Sequence, residues 1–197
     1  MAKLALVLYL VLIVLGFGLR AWLQWRRTGD HGFRFGGLRG APAERAGGIL
    51  FLIALVLGLA APLLELGGVL GAFERVRAPA VGTLLALAGI AGTLHAQGVM
   101  GSSWRVGVDP SERTALRTEG PFRFVRNPIF SWLMLATAGL ALLVPNAASL
   151  AACLALVAAI EIQVRLVEEP YLLRTHGDAY ARWASRTGRF VPGLGRL

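Results

Sequence analysis

The sequence predicts an all-α integral membrane protein of about five transmembrane helices with a helical C-terminal cap on the cytoplasmic side. Three observations predict it. Hydrophobic residues make up 56% of the 197 residues and charged residues only 16%, well below the roughly 25% charge of a soluble domain. The apolar residues fall in long unbroken runs rather than along one helical face, so they read as spans. The arginines lie between those runs, and nearly all of them fall on one side.

Five runs are candidate spans, at 4–23, 47–66, 78–100, 129–144 and 147–167. Each is close to the ~20 residues needed to cross hydrocarbon, with the fourth short. Only Pro145 and Asn146 separate the last two, which predicts a tight helical hairpin. Residues 67–73 read either as an extension of the second span or as an interfacial piece. The first run has its charges on the wrong end for a secretory signal and no convincing small-residue cleavage site, so it reads as a retained anchor.

All but Lys3 of the 20 basic residues are arginine. Arg26, Arg27, Arg34, Arg39 and Arg45 follow the first run, with Arg20 near its inner end. Arg105, Arg113, Arg117, Arg123 and Arg126 follow the third, and Arg165, Arg174, Arg182, Arg186, Arg189 and Arg196 close the chain. Against them stand Lys3, Arg75 and Arg77. By the positive-inside rule the amino terminus is outside a plasma membrane, and the third loop and the tail face the cytoplasm.

The net charge of +9 raises the question of nucleic acid. No basic block is interleaved with aromatics, so the expected partners are membrane lipids rather than nucleic acid. Cys153 is the only cysteine, and His31, His95 and His176 have no paired ligand spacing, so neither a disulfide nor a metal site is expected.

The whole chain, 1–197, reads as a single membrane domain. It comprises N-terminal spans over 1–73, core spans over 78–167 with a loop at 101–128, and a tail over 168–197. In that tail Tyr171, Leu172, Tyr180 and Trp183 alternate with Arg174, Asp178, Arg182 and Arg186. The pattern suits amphipathic helices lying at the interface, broken near His176-Gly177 and ending before Pro192. A membrane-surface anchor without chemistry would show the same pattern.

Two places bring charged groups together. Glu161, Arg165 and Glu169 are spaced i, i+4, i+8, which predicts one helix face, with Glu168 flanking it. Glu161 lies about two turns inside the end of its span, where an ionisable group is costly and usually faces a polar cavity. The set reads as a self-neutralising ladder at the interface or as a pocket wall that holds a zwitterion.

The second place is the third loop. Asn127-Pro128 before an apolar run reads as an N-cap and first helical residue. Arg123 and Arg126 precede this positive helix end, so an anion such as a carboxylate or phosphate would be stabilised there. Gly120-Pro121 turns the chain ahead of it. His95 and Gln97, near the inner end of the third span, suit helix packing or the lining of a ligand site. Trp104 and Arg105 suit an interfacial anchor.

Two motifs at this separation resemble those of the isoprenylcysteine carboxyl methyltransferase and phospholipid methyltransferase superfamily. Gly120-Pro121-Phe122-Arg123-Phe124-Val125-Arg126-Asn127-Pro128-Ile129-Phe130 is similar to its Gly-Pro-Tyr-Arg-x-x-Arg-His-Pro-x-Tyr. Arg165, Glu169 and Leu172, then Gly177 to Tyr180 and Arg189-Phe190-Val191-Pro192, resemble its Arg-x-x-x-Glu-x-x-Leu, Gly-x-x-Tyr and Arg-Phe-x-Pro. The likeness spans roughly 95–192.

The resemblance implies that the third loop and the tail enclose S-adenosylmethionine at the cytoplasmic face, while a lipophilic or small acceptor (carboxylate, thiol or amine) enters from the bilayer. It places Gly120, Pro121, Arg123, Arg126, Asn127, Pro128, Phe130, Glu168, Leu172 and Tyr180 at the cofactor and makes Arg165 and Glu169 catalytic. Asn127 stands where the superfamily has histidine and Phe130 where it has tyrosine. Asparagine keeps hydrogen bonding but does not titrate near neutral pH, and phenylalanine keeps only the ring. Both changes are compatible with an adenosyl group and remove a candidate general base. A membrane NADPH-dependent reductase, with the loop arginines on the nucleotide phosphates, and a non-enzymatic lipid-binding protein are the competing readings. The chain has no Gly-rich dinucleotide fingerprint and no internal repeat.

Overall fold

The computed structural model describes residues 1–32, 41–101 and 116–197. Arg34, Arg39, Trp104, Arg105, Arg113 and half of the expected 101–128 loop lie outside the described residues. Four helices are long and apolar enough to cross a membrane: α1 (Ala2–Thr28), α2 (Pro42–Leu66), α3 (Pro79–Met100) and α5 (Ala147–His176). Between α3 and α5 lies α4 (Pro128–Leu143), apolar but only 16 residues long, about 24 Å at the α-helical rise. A short α6 (Asp178–Ala184) follows. This is the helical membrane fold that hydropathy predicts, with its fourth span short.

Local chemistry starts the helices where they start. Proline occupies the first turn of α2, α3 and α4, where its missing N–H has no helical partner to lose. Helix α5 begins with a capping box: Ser149 N donates to Asn146 Oδ1 and Asn146 N to Ser149 Oγ, both at 3.0 Å. The Asn146 side chain also donates to Ala61 O (3.0 Å), tying the turn to the far end of α2. Residues 67–73 form turns beyond α2, and Phe73 N donates to Pro145 O (2.6 Å).

Small residues decide which helices meet. A Cβ on Gly89 would lie 2.4 Å from Ala136 N, and one on Gly139 would lie 2.4 Å from Ala86 N, so the α3 and α4 backbones touch. Helix α2 packs on α5, with Gly47 in ordinary contact with Ile162 and Ala159. The α4–α5 turn is as tight as predicted, yet these two helices meet less extensively than α3 meets α4 or α2 meets α5. Helix α1 joins the pairs, burying Ala2, Ala5, Leu8 and Leu12. Its Tyr9 hydroxyl donates to Leu55 O (2.6 Å).

Two π-helical stretches interrupt the ladder, Val14–Leu19 in α1 and Gln163–Glu168 in α5. The second corrects two expectations. The last span and the first tail helix are one continuous helix of 30 residues, not separate elements. Pro170, which cannot donate, follows directly on the wide turn, where the i to i−4 pattern has already given way. Nor do Glu161, Arg165 and Glu169 form one continuous ladder of ion pairs. Arg165 stays beside Glu161, while Glu169 turns inward. The helix breaks at Gly177, whose φ of 50° suits glycine, where the sequence predicts a break.

An apolar cavity of about 40 Å³ lies between α1, α2, α4 and α5, lined by Tyr9, Phe51 and Leu133 among others. None of the site residues expected from the sequence lines it.

Candidate active site

Just before α4 the chain makes a 3₁₀ turn at Gly120–Arg123 and then runs alongside the C-terminal tail. Val125 and Gly188 form a parallel bridge, the only one among the described residues. Arg126 N donates to Gly188 O (2.7 Å) and Asn127 N to Arg189 O (3.1 Å). Side chains extend the seam: Asn127 Nδ2 donates to Arg189 O (3.2 Å) and Ser131 Oγ to Phe190 O (2.7 Å). Gly188 lets the tail fold back on itself just beyond the seam, because a Cβ there would lie 2.0 Å from Val191 O.

Beneath the seam sits a buried ion cluster. Glu169 Oε1 accepts from Arg126 Nη2 (2.6 Å) and from Arg189 Nε (2.7 Å), and its Oε2 accepts from Arg189 Nη2 (2.9 Å). The three residues are 5%, 4% and 7% exposed respectively. Arg126 also donates to the carbonyls of Thr187 (2.6 Å), Ala184 and Gly195 (both 3.0 Å). Two guanidinium groups therefore share one carboxylate, and backbone carbonyls take up much of the remaining positive charge. Buried charges are tolerable only with this degree of satisfaction. The Glu169 hydrogen bond is the largest influence on Arg189, and it holds that guanidinium above its ordinary range despite burial.

The expected site residues divide into two groups. Arg126, Asn127, Pro128, Glu169 and Tyr180 come together at the seam or under it. Pro128 and Tyr180 are buried, and the Tyr180 ring packs edge-on against Trp183 at 5.7 Å. Burial first, then the Glu169 charge, pushes the Tyr180 hydroxyl up to about 12, so it stays protonated.

The others stand around this centre. Glu168 is half-buried and accepts from Gln163 Nε2 (3.3 Å). Phe130, Leu172 and Pro121 are half-buried, and Gly120 is exposed. Arg123 is exposed, its guanidinium over the Phe124 ring at 4.9 Å. Arg165 is exposed and pairs with Glu161, so it does not join Glu169. Asn127 is at the N-cap position of α4 as predicted, but its side chain serves the tail instead of capping the helix.

Arg189, Ser131 and Gly188 are parts of the junction that spacing alone does not reveal. In the sequence Arg189 stands out only within the closing Arg-Phe-x-Pro motif. Nothing marks Ser131, and Gly188 looks like any turn glycine. On the third span, His95 is exposed, while Gln97 is buried and donates to Gly16 O (2.9 Å) in the α1 π stretch. Gln97 is thus a helix-packing residue.

Among curated proteins, no relative matches this chain. The family profile described as phospholipid methyltransferase matches residues 78–179, which takes in α3, the approach to the seam, α4, α5 and the start of α6. That match covers more than half of the sequence and includes Arg126 and Glu169, two of the three charges under the seam. The chain belongs to the phospholipid methyltransferase family of membrane enzymes.

Proposed function

We propose that this protein is an S-adenosylmethionine-dependent methyltransferase working at the cytoplasmic face of a membrane, on a lipophilic or small acceptor with a carboxylate, thiol or amine nucleophile. The observation that carries the reading is the closure of the tail onto the start of α4 through Arg126, Glu169 and Arg189, inside a chain of this family. The asymmetry of the arginines supports a cytoplasmic position for that end.

The residues present fit the cofactor's chemistry. It carries a sulfonium cation, an α-amino group, a carboxylate and an aromatic base. Glu168 offers a half-buried carboxylate for the cationic part, Arg123 an exposed guanidinium for the acid, and Phe124 and Phe130 aromatic rings. Gly120, Pro121, Leu172 and Tyr180 complete the surroundings. When bound, S-adenosylmethionine supplies a methyl group already activated by positive sulfur.

The protein's task is then largely orientation and electrostatic matching. Arg165, exposed and balanced by Glu161, meets the acceptor and holds its nucleophile in line. Both Glu169 oxygens are engaged by arginines, so its role is to hold those arginines and the tail in place. Asn127 and Ser131 keep the tail backbone against α4.

Binding of tritiated S-adenosylmethionine and of NADPH to the purified protein tests the reading. Saturable binding of the first, with label transferred to a membrane lipid or thiol, is expected. Binding of NADPH alone would establish the reductase reading, and binding of neither would leave a lipid-binding protein.

A further inference from the structure

Helix α1 lies outside the residues matched by the family, yet it reaches the C-terminal end of α3 through Arg20. This arginine is only 6% exposed. Arg26, six residues on, sits over the exposed Trp22 ring at 5.0 Å, as an arginine at a membrane interface does. Arg20 instead turns inward, and its Nη2 donates to Gly101 O. Burying a guanidinium inside a membrane protein is costly, so an arginine placed this way marks a task.

Gly101 is the first residue past α3. Its φ of 56° and ψ of −131° are essentially restricted to glycine, and its carbonyl lies outside the helical ladder. A cation suits the negative end of α3. The segment that begins there returns at Gly120, where a Cβ would lie 3.3 Å from Val99. Gly101 and Gly120 are therefore both held at the last turn of α3, one by Arg20 and the other by packing on Val99. Gly120 leads directly into Arg126 and the seam. Gln97 braces the arrangement from α3 by holding Gly16 O, one turn before Arg20.

We propose that Arg20 is a positioning residue for methyl transfer: by holding the Gly101 carbonyl, it fixes the last turn of α3, against which Gly120 and the approach to the seam are packed. The inference rests on the methyltransferase reading above. A helix cap without further consequence would stabilise α3 alone, whereas a positioning residue also changes cofactor affinity.

The test uses the full chain in lipid nanodiscs as wild type, Arg20→Met, Arg20→Lys and Arg26→Met. Two quantities are read: the dissociation constant for tritiated S-adenosylmethionine, and amide hydrogen exchange in peptides covering 98–101 and 120–127. Arg20→Met should exchange faster in both peptides and bind at least about tenfold more weakly, the size of one lost charge-assisted hydrogen bond. Arg20→Lys should recover part of both effects, and Arg26→Met should match the wild type. Unchanged exchange, or faster exchange with unchanged affinity, would overturn the inference. Should Arg20→Met fail to insert, Arg20→Lys carries the same comparison. Wild-type protein that binds no S-adenosylmethionine would remove the methyltransferase reading itself, leaving the exchange rates to test the tether.

Discussion

Glu169 has no solvent to turn to and no oxygen to spare: Arg126 and Arg189 take both. Removing one partner of a buried pair usually costs about 3–5 kcal/mol, because the remaining charge is left uncompensated. Here two charges would be left. Glu169→Ala should therefore lose at least that much stability by thermal unfolding in detergent, and Glu169→Gln, which keeps a hydrogen-bonding oxygen, should lose less. Arg165 is the opposite case. Its pair with Glu161 is at the surface, with side chains 52% and 35% exposed, and such pairs contribute at most about 1 kcal/mol. Arg165→Ala should unfold at nearly the wild-type temperature while losing label transfer. A large drop in stability would assign Arg165 to the framework instead.

The two residues also show how far side-chain roles can be read from sequence. The spacing of Glu161, Arg165 and Glu169 suggests one charged face. The surface pair obeys it, but Glu169 does not. Its partners are 43 and 20 residues distant in the chain, and no local spacing encodes such pairs. The motif resemblance identified Arg126 and Glu169 as important without indicating that they bind each other.

At the scale of elements, hydropathy identified every long helix because a span must satisfy its backbone internally and bury apolar side chains in lipid. It could not locate the π stretch at Gln163–Glu168, which depends on tertiary packing as well as on Pro170. Nor could it choose helix partners, since the glycines of α3 become informative only when set against those of α4. Gly89→Leu should separate these helices, because even a Cβ meets Ala136 N at 2.4 Å, and the variant should show a lowered unfolding temperature. Gly188→Ala belongs to the same scale with a different result. Its Cβ would collide with Val191 O at 2.0 Å, so the tail's own turn should open, the backbone bonds at Gly188 and Arg189 should weaken with it, and limited proteolysis should remove residues beyond Arg186 far faster than in the wild type. Equal cleavage rates would mean that the turn at 188–194 accommodates the methyl group and that the seam does not depend on it.

Across the whole molecule, an apolar bundle presents at one end a polar junction made from segments remote in sequence. Residues 125–131 and 187–195 meet there, and Glu169, two turns before the end of α5, holds them. The membrane part gives the junction a rigid base, through close backbone contact of α3 with α4 and the capped turn between α4 and α5. Arg20 extends this base from the first helix to the start of the loop. The composition of the chain pointed to the bundle, and the paired motifs to the junction. The means of closure lay in backbone-to-backbone bonds at Gly188 and Arg189, to which sequence patterns are blind.

The affinity of purified wild-type protein and of Glu169→Gln for tritiated S-adenosylmethionine, measured in nanodiscs at equal insertion, tests the central claim most directly. Saturable binding by the wild type, weakened at least about tenfold when the shared carboxylate is lost, is the predicted result. Equal affinity in the two proteins would contradict it, showing that closure of the tail by Arg126, Glu169 and Arg189 does not form the cofactor site.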